Sequence, residues 1–299
     1  MKHLITDIQR FSLNDGPGIR TTVFFKGCNM RCGWCHNPET LSGEPQLMFY
    51  PEKCIGCAKC VSVCPSGAHS KNEDGRMRFD RALCQNCGKC AEVCYAEALV
   101  MSGREMSVEQ IMAEVRQDKA YYEASGGGVT LSGGEVLCHT EFATALARAC
   151  HAEGISVAVE TNLSFPYEHI KPLLDEVDLI MADFKIFDDD RHRCHTGVSN
   201  KHTVENIERI KNIPMIIRTP LIPDVTATRE NLRAIAETLS GKDNLMYYQL
   251  LNFNPLGASK YQSLAVDNRF SGARAYTEEQ MAAFGEMLAD LGVPIKVGE

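Results

Sequence analysis

Long apolar runs are missing from this 299-residue chain. No stretch approaches the roughly 20 apolar residues that a helix needs to span a membrane. The first residues, MKHLITDIQRF, do not contain the apolar core of a secretory signal. An excess of positive charge is missing too, because 31 basic and 39 acidic residues give a net charge of −8. We therefore expect neither a nucleic-acid backbone nor an anionic membrane surface as a partner.

Cysteine, in contrast, is abundant and unevenly placed. The chain has 14 cysteines, and eleven of them lie between Cys28 and Cys94. Such a content would indicate a disulfide scaffold in a short secreted chain. In a chain of this length without a signal, it indicates metal ligands in a reducing compartment. We therefore expect a cytoplasmic metalloprotein.

Eight of these cysteines form a repeat with an offset of 30 residues. CIGCAKCVSVCP begins at Cys54 and CQNCGKCAEVCY at Cys84, and each run has the spacing C-x2-C-x2-C-x3-C. This is the spacing of two-cluster ferredoxins, in which the fourth cysteine of each run binds the other cluster. The two predicted [4Fe–4S] sites are therefore Cys54, Cys57, Cys60 and Cys94, and Cys84, Cys87, Cys90 and Cys64. A pair of zinc sites is the alternative, but zinc modules usually pair their cysteines in twos across a longer gap.

Another three cysteines stand in the loop GCNMRCGWCHNP, directly after a predicted strand. Cys28, Cys32 and Cys35 have the spacing C-x3-C-x2-C. A [4Fe–4S] cube usually takes four thiolates. Three thiolates in one short loop therefore leave one iron with an open coordination position, which suits a cluster that does chemistry on a bound ligand.

Outside the ferredoxin-like repeat, predicted strands and helices alternate. This alternation predicts a parallel sheet with crossover helices, and an open α/β barrel fits it better than a closed eightfold one. The predicted strands are Thr21–Phe25, Val129–Leu131, Ile155–Glu160, Leu179–Phe184, Met215–Arg218 and Met246–Leu250, with a seventh at Ile295–Val297. The predicted helices include Val108–Arg116, Glu141–Glu153, His202–Lys211, Glu230–Leu239 and Thr277–Leu291. We expect residues 1–48 and 103–299 to form the barrel, and residues 49–102 to form the two-cluster insert.

Glycine and charged motifs follow the predicted strands. The second strand ends in SGGE, which contains Gly133, Gly134 and Glu135, and the third ends in Glu160-Thr161. The fourth ends in Asp183-Phe184-Lys185, whose two charged side chains point to the same side of a strand. In a barrel of this type the chemistry lies at the carboxyl ends of the strands, so these motifs are expected to meet there.

These motifs together resemble those of a known family. The three-cysteine loop, the GGE motif, the D-x-K pair and the upstream sequence DGPGIR (15–20) resemble glycyl radical enzyme activating enzymes of the radical S-adenosylmethionine (SAM) superfamily. The ferredoxin-like insert resembles the class of these enzymes that carries two extra clusters. The resemblance implies a partial (β/α)6 TIM-like barrel in which Cys28, Cys32 and Cys35 hold a catalytic cluster whose open iron chelates SAM.

The resemblance also implies roles for individual residues. The implied SAM-binding residues are Trp34, Asn37, Gly133, Gly134, Glu135, Glu160, Thr161, Asp183, Lys185, Arg218 and Asn254. Asp15 and His36 are implied contacts of the target loop. A monovalent cation is implied near Glu160, Thr161 and Asp183, although glutamate stands where some members have aspartate. Asn254 is a further departure, because many members have histidine there.

The activity that the resemblance implies is the activation of a partner enzyme. An electron from reduced flavodoxin or ferredoxin cleaves SAM, and the resulting 5′-deoxyadenosyl radical takes hydrogen from a glycine Cα of a glycyl radical enzyme. Two alternatives stay open, namely a radical SAM enzyme acting on a small molecule or peptide and a ferredoxin-type electron carrier. The sequence does not identify the particular partner, the roles of the extra clusters or the oligomeric state.

Overall fold

The computed structural model describes residues 1–298, which form one large sheet, two small sheets and the helices around them. The strands are β1 Lys2–Ser12, β2 Arg20–Phe25, β3 Gln46–Phe49, β4 His69–Lys71, β5 Met77–Phe79, β6 Leu99–Ser102, β7 Arg104–Ser107, β8 Gly128–Gly133, β9 Ser156–Thr161, β10 Leu179–Asp183, β11 Met215–Pro220, β12 Leu245–Leu251 and β13 Ile295–Val297. The α-helices are α1 Lys59–Val63, α2 Lys89–Glu92, α3 Val108–Val115, α4 Lys119–Ser125, α5 Thr140–Ala152, α6 Tyr167–Leu174, α7 Asp189–Thr196, α8 Lys201–Arg209, α9 Arg229–Leu239, α10 Ala258–Leu264 and α11 Glu278–Glu286.

The large sheet has nine strands in the order β13-β12-β11-β10-β9-β8-β2-β1-β7. The strands from β2 through β8 to β13 are parallel to their neighbours, whereas β1 is antiparallel to both β2 and β7. Within residues 1–298 the outer strands β13 and β7 do not pair, so the sheet stays open. The prediction of an open α/β barrel with six parallel strands and a short seventh is confirmed.

The antiparallel strands β1 and β7 were not predicted from the sequence. In β1 only Ile5 and Ser12 are buried, so its sequence shows no alternation of apolar and polar residues. Its far end is held instead by an ion pair between Arg10 and the buried Asp118, at 2.5 Å. A strand that is stabilised by pairing with its neighbours and by an ion pair to a residue far along the chain shows little periodic pattern in its own sequence.

The core of the barrel lies between the sheet and its helices. Ser107 starts α3 with a capping box, in which its side chain accepts a hydrogen bond from the backbone N–H of Gln110. Ile111 of α3 and Leu146 of α5 are fully buried in the same apolar cluster as Leu131 of β8. Burial of a leucine or isoleucine side chain contributes about 1.5–3 kcal/mol, so this packing fixes the strands whose ends carry the charged motifs.

The ferredoxin-like segment has its own small elements. β3 and β6 pair as an antiparallel ribbon, and β4 and β5 pair as a second one. The short helices α1 and α2 lie within the two cysteine runs. Leu47 of β3 and Leu99 of β6 pack with Cys90 in a separate apolar cluster. None of the helices within residues 1–298 is long and apolar enough to cross a membrane.

Candidate active site

A cavity of about 310 Å³ opens at the carboxyl ends of the parallel strands. It is lined by all three cysteines of the C-x3-C-x2-C loop, by His36 and by every implied SAM-binding residue: Trp34, Asn37, Gly133, Gly134, Glu135, Glu160, Thr161, Asp183, Lys185, Arg218 and Asn254. These residues come from positions 28 to 254 of the chain. The fold therefore gathers into one place the residues that the sequence motifs indicated.

The three cysteines lie on the loop after β2. The backbone N–H of Cys28 donates to Leu41 O at 3.3 Å, and that of Cys35 donates to Cys32 O at 3.2 Å. Burial raises the pKa of all three thiols, of Cys35 to about 12, because a thiolate is poorly solvated there. Thiolate ligands at this place need a positive partner. Iron would supply it, and cluster binding would release protons.

The two glycines of the GGE motif allow β8 to approach the start of the cysteine loop. A Cβ on Gly133, whose φ is +115°, would lie 2.3 Å from Phe25 N, and one on Gly134 would lie 2.3 Å from Gly27 O. The backbone N–H of Gly134 donates to Phe25 O at 2.9 Å, and that of Glu135 donates to Gly27 O at 2.9 Å. The glycines thus hold the GGE segment against the cysteine loop.

We expect Gly134→Ala to destabilise the fold by about 1–3 kcal/mol, because the added methyl group would collide with backbone atoms that cannot move independently. Chemical denaturation of the purified variant would measure this loss. Gly43→Ala is the matched control, since a Cβ at Gly43 meets no atom within 4 Å. Equal stability of the two variants would contradict the assigned packing.

Glu135 connects the GGE segment to the end of β9. Its carboxylate accepts hydrogen bonds from the Thr161 hydroxyl at 2.6 Å, from Asn162 N at 2.7 Å and from Leu137 N at 3.0 Å. The side chain is buried, and burial raises its pKa despite these donors. Glu135 therefore fixes the ends of two neighbouring strands relative to each other.

A network of charged side chains crosses the floor of the cavity. Arg218 Nη1 donates to Glu160 Oε1 at 2.5 Å, and Arg218 Nη2 donates to Asp183 Oδ1 at 3.2 Å. Lys185 Nζ donates to Asp183 Oδ2 at 2.8 Å, and the Ser132 hydroxyl donates to Glu160 Oε2. Two carboxylates and two cations are thus placed together, and their formal charges cancel.

The network shifts the pKa values of Asp183 and Lys185. Burial alone would raise the pKa of Asp183, but Lys185 and Arg218 outweigh it and lower that pKa. Burial opposes the charge of Lys185, yet Asp183 and the nearby thiolate positions raise the pKa of Lys185 to about 12. Asp183 and Lys185 are therefore both ionised at neutral pH.

The side chains implied for a monovalent cation are already members of hydrogen-bond networks at the strand ends. Both carboxylate oxygens of Glu160 and both of Asp183 already accept hydrogen bonds from cationic or hydroxyl donors. The Thr161 hydroxyl donates to Glu135 and accepts from Leu163 N at 3.0 Å. Arg218 contacts both carboxylates, and because carboxylate oxygens keep further lone pairs, a monovalent cation beside it stays a prediction.

The lining of the cavity fits SAM, because it combines apolar and charged side chains. Trp34, Ile186, Ile222 and Phe253 pack together as an apolar cluster, and all except Ile186 line the cavity. An apolar wall beside charged groups suits a ligand that combines an adenosine ring with an amino acid. Asn254, in contrast, is exposed, and its side chain caps the following turn by accepting from Leu256 N at 2.9 Å.

Asp15 is the one implied site residue that does not line the cavity. Its carboxylate accepts a hydrogen bond from the Thr22 hydroxyl at 2.6 Å, and its carbonyl accepts one from the Thr130 hydroxyl at 2.7 Å. Both threonines lie on barrel strands, β2 and β8. A contact of Asp15 with a partner loop stays a prediction.

Some contacts to the site were not anticipated from the sequence. The Tyr261 hydroxyl donates to Cys35 O at 2.8 Å, and Lys260 Nζ donates to Asn37 Oδ1 at 2.6 Å. Asn162 Nδ2 donates to Asn29 Oδ1 at 2.9 Å, which links β9 to the cysteine loop. Tyr261 and Cys35 are 226 residues apart, and no local pattern marks such a pair.

The ferredoxin-type cysteines meet across the two runs. A second cavity is lined by Cys54, Cys57 and Cys60 of the first run and by Cys94 of the second. In the other half, burial together with the nearby Cys84 and Cys64 raises the pKa of Cys90 to about 11. This exchange of the last cysteine is the arrangement that two-cluster ferredoxins use.

Models of three known families match parts of the chain. The Radical SAM superfamily matches residues 84–238, a 4Fe-4S dicluster domain matches residues 53–98 and a 4Fe-4S single cluster domain matches residues 14–73. The crystal structure of QueE from Escherichia coli covers all of this chain and 94% of its own, with a TM-score of 0.52 and 13% identity, a likeness of fold alone. The chain thus contains a radical SAM domain.

Relatives with assigned activities cover nearly the whole chain. The benzylsuccinate synthase activating enzyme of Thauera aromatica is 41% identical over 99% of this chain and 92% of its own length. The indoleacetate decarboxylase activating enzyme of Tractidigestivibacter scatoligenes is 36% identical over 98% of this chain and 96% of its own length. The chain belongs to the glycyl radical enzyme activating enzymes.

Proposed function

We propose that this protein activates a glycyl radical enzyme by reductive cleavage of SAM and abstraction of a hydrogen atom from a glycine Cα. The observation that carries the proposal is the single cavity at the strand ends, which joins three cysteines to the charged network of β9, β10 and β11. A carrier of electrons alone has no need for such a cavity. The family to which the chain belongs supports the same activity.

The residues of the cavity have separate tasks in this proposal. Cys28, Cys32 and Cys35 would hold a [4Fe–4S] cluster that, with SAM, supplies a reducing electron and a primary carbon radical. Lys185 and Arg218 provide positive charge for the carboxylate of SAM, and Glu160 and Asp183 hold these two cations in place. The apolar cluster around Trp34 excludes water from one side of the cavity.

The insert belongs to the proposal as an electron-transfer unit. We assign residues 49–102 to it and residues 1–48 and 103–299 to the barrel. Its eight cysteines would hold two further [4Fe–4S] clusters, supplied with electrons by reduced flavodoxin or ferredoxin in the cytoplasm. A monovalent cation near Glu160, Thr161 and Asp183 is also part of the proposal, because the carboxylates that contact Arg218 keep lone pairs for it.

The test is an anaerobic reaction of the reconstituted protein with SAM and reduced flavodoxin. We expect 5′-deoxyadenosine, and a doublet glycyl radical signal in electron paramagnetic resonance (EPR) once the partner enzyme is added. If no 5′-deoxyadenosine forms, the proposed activity is wrong and the protein is a ferredoxin-type electron carrier. Release of 5′-deoxyadenosine without a doublet from any candidate partner would favour a small-molecule or peptide substrate.

Iron analysis of the same preparation tests the cluster assignment. We expect roughly twelve irons per chain, four for each of three cubes. A content near four would contradict the two clusters of the insert. The identity of the partner is a separate question, because relatives with similar identity activate a synthase and a decarboxylase.

A further inference from the structure

The short helix α10 contacts both the cysteine loop of the barrel and the ferredoxin-like insert. On the barrel side, Tyr261 is buried and its hydroxyl donates to Cys35 O at 2.8 Å. Lys260 strengthens this attachment, because its ammonium group donates to Asn37 Oδ1 at 2.6 Å and to Glu39 Oε1 at 2.7 Å. The cysteine loop is thus held by two successive side chains of one helix.

On the insert side, α10 is held by the second cysteine run. Arg81 Nη2 donates to Ser263 O at 3.0 Å, and the backbone N–H of Cys84 donates to Arg81 O at 3.2 Å. The helix also packs against β3, the strand by which the chain enters the insert. Residues of α10 therefore lie between Cys84 and Cys35.

The two cysteine runs differ at this point of attachment. Because the repeat has an offset of 30 residues, Pro51 in the first run corresponds to Arg81 in the second. The N–H of Cys54 donates to Pro51 O at 3.1 Å, as that of Cys84 does to Arg81 O. A proline side chain carries no hydrogen-bond donor, so this position links to α10 only in the second run.

We propose that α10 is the route by which an electron passes from the cluster of Cys84, Cys87, Cys90 and Cys64 to the cluster of Cys28, Cys32 and Cys35. This rests on the proposed function. The route has three hydrogen bonds, from Cys84 to Arg81, from Arg81 to Ser263 and from Tyr261 to Cys35, with two peptide units of α10 between them. Arg81 and Tyr261 are its positioning residues.

The step balances as the transfer of one electron. A cluster held by Cys84, Cys87, Cys90 and Cys64 would lose one electron, a cluster held by Cys28, Cys32 and Cys35 would gain it, and no proton would move. Reduced flavodoxin or ferredoxin restores the electron to the insert.

The test uses two variants at opposite ends of the route, Arg81→Met and Tyr261→Phe, in the reconstituted full chain. Each removes one hydrogen bond and keeps most of the side-chain volume. One hydrogen bond contributes about 1 kcal/mol, so α10 would occupy its bonded position less often and the electron-transfer rate would fall roughly fivefold. Rapid-freeze EPR after mixing with reduced flavodoxin would follow the appearance of the reduced SAM-binding cluster.

Two matched controls change the same residue types away from the route. Arg78 is exposed in β5 and Tyr121 is exposed on α4, so Arg78→Met and Tyr121→Phe should leave the rate unchanged. Iron content, SAM affinity and the midpoint potentials of the clusters should be equal in all variants, which separates a lost route from a damaged fold. The double variant should be slower than either single variant, by about the product of the two factors, because each lost hydrogen bond weakens the attachment of α10 separately.

The outcomes separate this inference from the proposed function. If the unmodified protein cleaves SAM and both variants reduce the SAM-binding cluster as fast as the controls, the route through α10 is wrong. If Arg81→Met slows the reaction and Tyr261→Phe does not, the electron leaves the insert near Arg81 but does not pass Tyr261, and the route is wrong as well. If the unmodified protein produces no 5′-deoxyadenosine, the proposed function itself fails.

Discussion

Replacement of Cys32 by alanine is expected to abolish SAM cleavage, with no 5′-deoxyadenosine above background. Cys32 is one of the three thiols in the cavity, and burial raises its pKa although the nearby Lys185 lowers it. A cube held by only two protein thiolates lacks the ligands to stay bound. Product analysis after anaerobic reduction with SAM would measure the loss, and iron analysis should show about four irons fewer per chain.

Cys194→Ser is the matched control for this prediction. Cys194 is exposed on α7 and does not line the cavity. We expect this variant to keep its full iron content and its rate of SAM cleavage. Retention of activity in Cys32→Ala, or its loss in Cys194→Ser, would contradict the assignment of the cavity.

Arg218→Met is expected to have the largest effect on stability among the charged residues of the site. The side chain is 11% exposed and pairs with Glu160 and Asp183. Removal of one partner of a buried ion pair leaves charges uncompensated and costs about 3–5 kcal/mol. We expect a loss of this size in the free energy of unfolding, measured by denaturant titration, together with much weaker SAM binding.

The same substitution should change the response of the protein to acid. In the native protein the pKa of Asp183 is lowered, so its stabilising contribution is present above the ordinary aspartate pKa of about 3.9 and is lost as the pH falls through the lowered value. Without Arg218 the pKa of Asp183 rises, and the acid limb of the stability curve should move to higher pH. A parallel loss of stability at every pH would contradict this coupling.

Arg148→Met serves as the control for Arg218→Met. Arg148 pairs with Glu176 at 2.8 Å, but its side chain is 64% exposed. Exposed ion pairs contribute about 0–1 kcal/mol. We therefore expect little change in stability and none in SAM affinity for this variant.

The sequence motifs could predict which charged residues and glycines line the cavity, because the carboxyl ends of parallel strands meet at one edge of the sheet. Gly133, Thr161, Asp183 and Arg218 each stand at or near the carboxyl end of their strand, and these ends lie side by side. Residues at the carboxyl ends of adjacent strands are therefore neighbours in the folded protein. In the same way, the spacing of the cysteine repeat predicts that the two runs exchange their fourth ligand.

Contacts between side chains from distant elements could not be predicted in this way. The position of Arg218 between Glu160 and Asp183 depends on side-chain length and orientation, which motif positions do not contain. The contact of Tyr261 with Cys35 depends on where the helix after β12 packs. Such long-range contacts are properties of the packed structure and leave no periodic signal in the sequence.

The account depends on one iron of the Cys28, Cys32 and Cys35 cluster that no protein side chain binds. Electron–nuclear double resonance of the reduced protein with SAM labelled with ¹⁵N in its amino group and ¹⁷O in its carboxylate tests this directly. We expect magnetic coupling of both labels to the cluster, because both groups would bind that iron. Bound SAM without coupling from either label would contradict the account.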